Sequence, residues 1–367
     1  MAKTIIIGGA AGGATAATRL RRLDEKMKII LLEKGEYISY ANCGMPYFIG
    51  GVIKDQKELT VMTPQKFTSQ FNIDVRTQNE VIAIDRDKKT ITIQDHSINK
   101  TYQESYDFLI LSTGAEPVIL QEIKDFEGIF TLRDIPDTLK IKSYIEQNKP
   151  SSAVIIGGGP IGLEMAENLV NANIETSIVE LTDHVCSPLD FDMASFLHKH
   201  LRKKGVKLIL NNKVNEITRD KNKLLLKLKE KTIQTDMVIN SIGVRPVSKL
   251  AIESGLEVNQ RGAVIVNNRM QTNDPSIYAV GDLVEILDYI TGDKTYVPLA
   301  GPAQKQARIA ANNIAGIVSE YNGTSFCGIV KVFDKTIAYC GLNEKILKLK
   351  NIEYEKIYTY TPSHPSY

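Results

Sequence analysis

Apolar and polar positions along the chain fall into blocks that read strand, glycine turn, helix, strand, and this order occurs twice. In the first block an apolar run over residues 4–7 enters the turn Gly8-Gly9-Ala10-Ala11-Gly12-Gly13. The pattern then predicts a helix over 14–23 and a second strand over 28–32, ending at Glu33. In the second block a strand over 153–156 enters Gly157-Gly158-Gly159-Pro160-Ile161-Gly162. A helix over 163–171 and a strand over 176–179, ending at Glu180, follow. Strands in both blocks are apolar throughout, as parallel strands covered on both faces are. The expected class is α/β with two Rossmann-like units.

Glycines at this spacing have separate jobs in a dinucleotide-binding turn. The first makes the tight turn, the second lets backbone approach a pyrophosphate, and the third lets helix and strand pack closely. Gly157, Gly159 and Gly162 fill all three places, whereas Ala10 puts a methyl in the second place of the first turn, between Gly8 and Gly13. Glu33 and Glu180 stand 25 and 23 residues beyond the first glycines, where a carboxylate accepts hydrogen bonds from a ribose. A carboxylate at Glu180 repels a 2′-phosphate, so NADH is expected over NADPH.

Two more apolar runs end in small residues. One covers 109–115 and includes Thr113 and Gly114; the other covers 238–246 and includes Gly243. They mark places where the chain leaves the first unit near 115 and returns near 245. A short apolar strand before Gly281 presents the carboxylate of Asp282. The lysine-rich run 220–231 alternates charged and apolar residues and is expected to be a solvated hairpin.

Composition narrows the function classes. The 367 residues are 43% hydrophobic and 24% charged, with formal net charge +2, which asks for neither nucleic acid nor a membrane surface as partner. No run reaches the roughly 18 to 20 apolar residues of a membrane span. The start, Met1-Ala2-Lys3-Thr4, passes directly into a strand, so a cytoplasmic protein is expected. Four cysteines (Cys43, Cys186, Cys327, Cys340) lack the spacing of a disulfide framework or metal site. Cys186, Cys327 and Cys340 read as structural thiols. Cys43 lies in the more polar run Ser39-Tyr40-Ala41-Asn42-Cys43-Gly44-Met45-Pro46-Tyr47, just before a short helix with Pro46 in its first turn. A helix amino terminus there would lower the thiol pKa. Thr15, Arg19 and Arg22 share one face of the first helix, either as a solvated face or as a grip for a polyanion. Glu164, near the start of the second helix, reads as a dipole partner or a cofactor contact.

With these residues in view, the chain resembles, over residues 1 to about 320, the flavoprotein disulfide reductases that carry two dinucleotide-binding domains. The run Asn42-Cys43-Gly44-Met45-Pro46-Tyr47 is similar to that of the coenzyme A-disulfide reductases and their coenzyme A persulfide reductase relatives. Phe48 occupies the place where glutathione-reductase-like members have a second cysteine. Ala11 occupies the place where NADH peroxidases and oxidases carry histidine. The resemblance implies FAD held by residues 1–115 and 245–322, through Gly8, Ala10, Gly12, Gly13, Glu33, Lys34, Thr113, Gly114, Gly281 and Asp282. It implies NADH held by 116–244, through Gly157, Gly159, Ile161, Gly162, Glu164, Glu180 and Gly243. Coenzyme A would lie against Thr15, Arg19, Arg22, Ser39 and Asn42. Gln70 and Phe71 depart from the basic residues relatives carry nearby, a role open to Lys66.

The implied chemistry is reduction of coenzyme A disulfide, or a related persulfide or polysulfide, through a mixed disulfide on Cys43. An NADH oxidase cycling Cys43 through sulfenic acid, and a non-catalytic thiol-redox sensor, remain alternatives. Residues 326–333 resemble the first strand of the family's α+β dimerisation domain, and 361–367 resemble its tyrosine-bearing segment. Residues 323–367 are therefore expected to be the start of a truncated domain. The full-length protein is expected to be a homodimer, and this chain to bind FAD with impaired dimerisation and turnover.

Overall fold

A computed structural model describes residues 2–119 and 126–362. Two five-stranded parallel sheets organise it. The first runs Ile277–Ala279, Phe108–Leu111, Lys3–Ile7, Lys28–Leu32, Asp74–Arg76 in spatial order. The second runs Lys207–Ile209, Glu175–Val179, Ser152–Ile156, Met237–Asn240, Ile129–Phe130. In each, the strand that feeds a glycine turn is central. Ile7 pairs in register with Leu32 and Leu111, and Ile156 with Val179 and Asn240. The α/β expectation with two Rossmann-like units therefore holds, and the strand cores, such as Ile5, Ile6, Ile30 and Ile155, are fully buried.

Both crossover helices begin earlier than the periodicity suggests, at Ala11 (Ala11–Leu23) and Pro160 (Pro160–Asn171). Ala10 and Gly159 are the extended caps, so each helix starts inside its glycine turn. Gly8 (φ +103°) and Gly157 (φ +101°) reverse the chain within one residue, which only a residue without Cβ does freely. The two segments expected to carry the chain between units lie side by side, Ala115–Pro117 pairing antiparallel with Val244–Pro246.

Several expectations are corrected. The run 220–231 is not a solvated hairpin: Glu216–Asp220, Lys223–Lys227 and Thr232–Thr235 form a three-stranded sheet. Its alternating Ile217, Leu224 and Leu226 pack, fully buried, with Val154 and Val179. A second three-stranded meander, Asn79–Asp85, Thr90–Asp95 and Lys100–Ser105, was not foreseen. Cys327 and Cys340 are not buried thiols. They are register partners in the antiparallel hairpin of Cys327–Val332 with Lys335–Cys340, exposed and joined as a disulfide with Cα atoms 4.0 Å apart. Cys186 is buried, as expected. The tyrosine-bearing segment expected at 361–367 falls, from 363 onward, outside the described residues. Among those residues no helix is long and apolar enough to cross a membrane.

The short helix Met45–Ile49 wedges between the units. Met45 and Phe48 pack with Leu59 and Ile135, while Ile49 joins the core of the second unit with Leu163 and Met165. Lys142 Nζ donates to the Phe48 carbonyl at 3.1 Å and lies 5.0 Å over its ring. At Gly50 a Cβ would stand 2.2 Å from Oδ1 of the fully buried Asn168. Gly50→Ala is therefore expected to cost about 1–3 kcal/mol, the usual penalty for overpacking, read as a lower urea midpoint at unchanged m-value.

Candidate functional site

The two acidic strand ends occupy matching cradles. Glu33 Oε2 accepts from the Gly9 N–H at 2.8 Å and Oε1 from the Gly35 N–H at 2.9 Å. Glu180 Oε2 accepts from the Gly158 N–H at 2.7 Å, and Oε1 from the Thr182 N–H and hydroxyl, each at 2.9 Å. Each carboxylate is thus pinned to its own glycine turn, with lone pairs left for a ribose. The third glycines are forced: a Cβ on Gly13 would lie 1.8 Å from the Gly8 oxygen, and one on Gly162 2.1 Å from the Gly157 oxygen. A Cβ on Gly12 would meet the Ser112 hydroxyl at 2.6 Å. The second place differs, because a Cβ on Gly159 meets nothing within 4 Å. That open side explains how the first turn accommodates Ala10.

Other predicted positions around the first turn are polar and committed. The Thr113 hydroxyl donates to the Val247 carbonyl at 2.7 Å, and Gly114 takes φ +70° beside it. The Gly281 N–H donates to Oε1 of buried Gln306 at 2.7 Å. Asp282 accepts no side-chain hydrogen bond from the described residues, and burial alone pushes its carboxyl up to about 6. A desolvated carboxylate that accepts no side-chain hydrogen bond fits a hydroxylated ligand such as the ribityl chain of FAD. Lys34 is exposed. In the second unit Ile161 is 39% exposed at the helix start, and Gly243 (φ +140°) has open space where a Cβ would project.

Cys43 sits in a 3₁₀ turn, Asn42–Gly44, ahead of the wedge helix. Backbone stitches position it: Ser39 N–H donates to the Gly9 oxygen at 2.8 Å, and Ala41 N–H to the Leu59 oxygen at 2.8 Å. Ser39 adopts φ +46°, turning the chain away from the first glycine turn toward the cysteine. Asn42 and Cys43 are both exposed. On the first helix Arg19 Nε donates to Asn312 Oδ1 at 2.9 Å, and Arg22 stacks 5.9 Å over Phe71. Phe71 thus supports an arginine where a basic residue would otherwise stand. Thr15 is half-buried, and Lys66 is exposed on the neighbouring helix Pro64–Phe71.

The expectation of a lowered thiol pKa is overturned. Desolvation on its protein side pushes Cys43 up from its ordinary value, and the negative charge of Glu164 pushes it further. Only a backbone hydrogen bond acts the other way. The helix behind it has five residues, too short to supply a strong opposing field. Glu164 is itself pushed up to about 7, first by burial and then by Glu167. Tyr47 is pushed up to about 12 by burial, Glu164, Glu167 and Cys43 in that order. Sequence reasoning placed Glu164 at a nicotinamide site and missed its charge coupling to sulfur. It gave no role to Glu167 or to Tyr47, although Tyr47 closes the cysteine run. The spacing of three between Glu164 and Glu167 was a usable sign of a shared helix face.

Comparison with known proteins identifies the family. The family model for pyridine nucleotide-disulphide oxidoreductases matches residues 2–307. The chain is 36% identical over 368 residues to a coenzyme A disulfide reductase of Staphylococcus aureus, covering 100% of this chain and 82% of that protein. It is 37% identical over 352 residues to an NADH oxidase of Methanocaldococcus jannaschii, covering 95% and 78%. The crystal structure of reduced Bacillus anthracis CoADR-RHD superposes with TM-score 0.94 at 47% identity, covering 96% of this chain and 64% of that one. The chain thus spans somewhat under two thirds of that protein's length.

Because Glu164 keeps its proton in the fold up to about 7 but loses it near 4.5 when unfolded, its protonated form stabilises the fold fully at low pH. That contribution is lost as pH rises from about 4.5 to 7. Glu164→Gln is expected to remove up to about 2 kcal/mol of this pH dependence, after allowance for partial exposure, in urea titrations at pH 5 and 7.5. The same variant should alkylate at Cys43 with a lower pH midpoint, since one negative neighbour is gone.

Proposed function

We propose that this chain, which belongs to the pyridine nucleotide-disulphide oxidoreductase family, reduces coenzyme A disulfide, or a related persulfide or polysulfide, through Cys43. The observation that carries this reading is a lone exposed thiol stitched to the first glycine turn and charge-coupled to a carboxylate of the second unit. Phe48, buried one turn further on, leaves no second cysteine near it, so the disulfide partner must come from the substrate. The similarity to the Staphylococcus aureus coenzyme A disulfide reductase supports the substrate class.

Residues 1–115 with 245–322 hold FAD in this proposal, and 116–244 hold the nicotinamide cofactor. Glu33 and Glu180 bind ribose hydroxyls from their backbone cradles, and Asp282 accepts from the ribityl chain. Fixed by Gly158 and Thr182, Glu180 disfavours a 2′-phosphate, so NADH is preferred. Arg19, Arg22 and Thr15, with Ser39 and Asn42 nearer the sulfur, hold the polyanionic substrate. When bound, FAD supplies a two-electron relay between nicotinamide and sulfur.

Cys43 Sγ attacks one substrate sulfur as a thiolate; the substrate S–S bond breaks and one thiolate leaves, so Cys43 holds the other half as a mixed disulfide. Glu164, with its carboxyl near neutrality, can take the Cys43 proton before attack and return it to the departing sulfur. Tyr47 stays protonated throughout. Homodimer formation and a cytoplasmic location belong to the same proposal.

The Methanocaldococcus jannaschii relative favours a second reading, an NADH oxidase in which Cys43 cycles through sulfenic acid. Reoxidation of the reduced flavoprotein separates the two. Fast reaction with coenzyme A disulfide and slow reaction with oxygen supports the reductase; the reverse supports the oxidase. Steady NADH consumption, rather than a single burst, separates either enzyme from a thiol sensor.

Cys43→Ser is expected to lower NADH-dependent reduction of coenzyme A disulfide by at least about 10³-fold while flavin binding persists. Intact mass before and after dithiothreitol should show loss of one coenzyme A adduct that maps to Cys43. An unchanged rate in the serine variant would refute the proposal.

A further inference from the structure

We propose that Cys327 and Cys340 form a second thiol–disulfide couple, separate from Cys43, which small thiols open and which sets Cys43 reactivity through the hairpin's hold on Glu167. The two cysteines are register partners at the open end of a sheet that has only two strands among the described residues. Both are exposed, so a thiolate can reach either sulfur. Val330, Val332 and Phe333 anchor the turn half of the hairpin in the core of the second unit, whereas the open end has no buried residue and depends on whatever ties it. At the open end the ties are the disulfide, a Gly341 N–H to Phe326 carbonyl bond of 3.0 Å and the Phe326–Tyr339 ring contact. The disulfide is the only covalent one.

The other end of the hairpin reaches the candidate site. Lys331 Nζ lies 2.5 Å from Glu167 Oε1, and the Phe333 N–H donates to Glu167 Oε2 at 2.7 Å. Glu167 is 3% exposed, so this cation and this N–H satisfy a carboxylate with almost no access to water. Lys331 also sits 5.8 Å over the Tyr47 ring. Glu167 acts on Glu164 and Tyr47, and Glu164 acts on Cys43. Asp334 ties the hairpin turn to Lys204, the residue that ends the helix Phe191–Lys203, at 2.9 Å.

Opening the couple takes two electrons. One thiolate attacks Cys327 or Cys340, the internal S–S bond breaks and a mixed disulfide forms. A second thiol then releases the free cysteine and leaves as the external disulfide. The reductant is a low-molecular-weight thiol, the class the proposed reaction generates; only that identification rests on the proposed function. Freed at its open end, the hairpin loosens its hold on Glu167, and a less compensated negative charge beside Glu164 disfavours the Cys43 thiolate. Product thiol would thereby slow the enzyme that makes it.

The test uses the full chain in graded buffers of dithiothreitol and its oxidised form. In Cys43→Ser protein, denaturation, alkylation with iodoacetamide and intact mass should show only Cys186 modified at the oxidising end and Cys186, Cys327 and Cys340 at the reducing end. Three modified cysteines at every setting would overturn the couple, and so would a disulfide that dithiothreitol cannot open without denaturant. In the unsubstituted protein, reduction of the couple should slow native alkylation of Cys43 by about threefold at pH 8, the effect of a half-unit rise in thiol pKa. Cys327→Ser should show the slow rate at every setting. Equal Cys43 rates in both redox states would overturn the coupling, whether or not the serine variant folds. Failure of the proposed function would appear instead as absent turnover with these alkylation results intact.

Discussion

The structure turns on the close fit between the wedge helix Met45–Ile49 and the helix Pro160–Asn171, at the point where Gly50 meets buried Asn168. Without a side chain at Gly50 the backbone of the first unit reaches the second helix directly. Ile49 then enters the second core, and Cys43 is carried to the side of that helix where Glu164 and Glu167 lie. Neither glycine turn places the sulfur alone. The first turn fixes the start of the cysteine segment through Ser39, and the wedge fixes its end. A thiol held from both units can answer to a cofactor in each.

The duplicated cradle is the second constraint. In both units the strand-end carboxylate accepts from the N–H of the residue after the first glycine and from an N–H two residues beyond itself. Two backbone donors hold one carboxylate, so the turn, the central strand and the next strand are locked in register before any ligand arrives. This shared geometry also accounts for the one irregular residue. The second glycine place points into open space in the unit that keeps its glycine, and that space is where Ala10 puts its methyl.

Local features were legible in the sequence, and features made by distant segments were not. The glycine turns, their acids and the short helix after Cys43 follow from short-range rules about φ, spacing and Pro46. The helix starts were misjudged because small residues carry little hydrophobic period, although Ala11 and Pro160 are already helical. In the run 220–231 the alternation is plain, but its charges suggest a solvated face, whereas the apolar half, Leu224 and Leu226, is buried against Val154 and Val179 of a distant sheet. The direction of the Cys43 shift was misjudged for a deeper reason. Its helix is adjacent in sequence, whereas the opposing carboxylate comes from a helix more than a hundred residues later. The Cys327–Cys340 pair became visible only once strand register was known.

A raised thiol suits exchange chemistry when a proton acceptor sits beside it. Nucleophilicity of a thiolate falls as its pKa falls, so a strongly acidic cysteine is abundant as thiolate but weak in attack. Here the Glu164 charge disfavours ionisation of Cys43, so the first negative charge of the pair rests on Glu164 and the thiolate forms most readily when Glu164 holds a proton. With the carboxyl near 7 and the thiol held above its ordinary value, passing the proton from sulfur to oxygen is uphill by at least about 2 kcal/mol, a small step beside a catalytic barrier. Lys331 on Glu167 limits how much negative charge the helix presents to this pair. Attack and departure of sulfur each require one proton to move, and a carboxyl poised near neutrality can accept it in the first step and return it in the second.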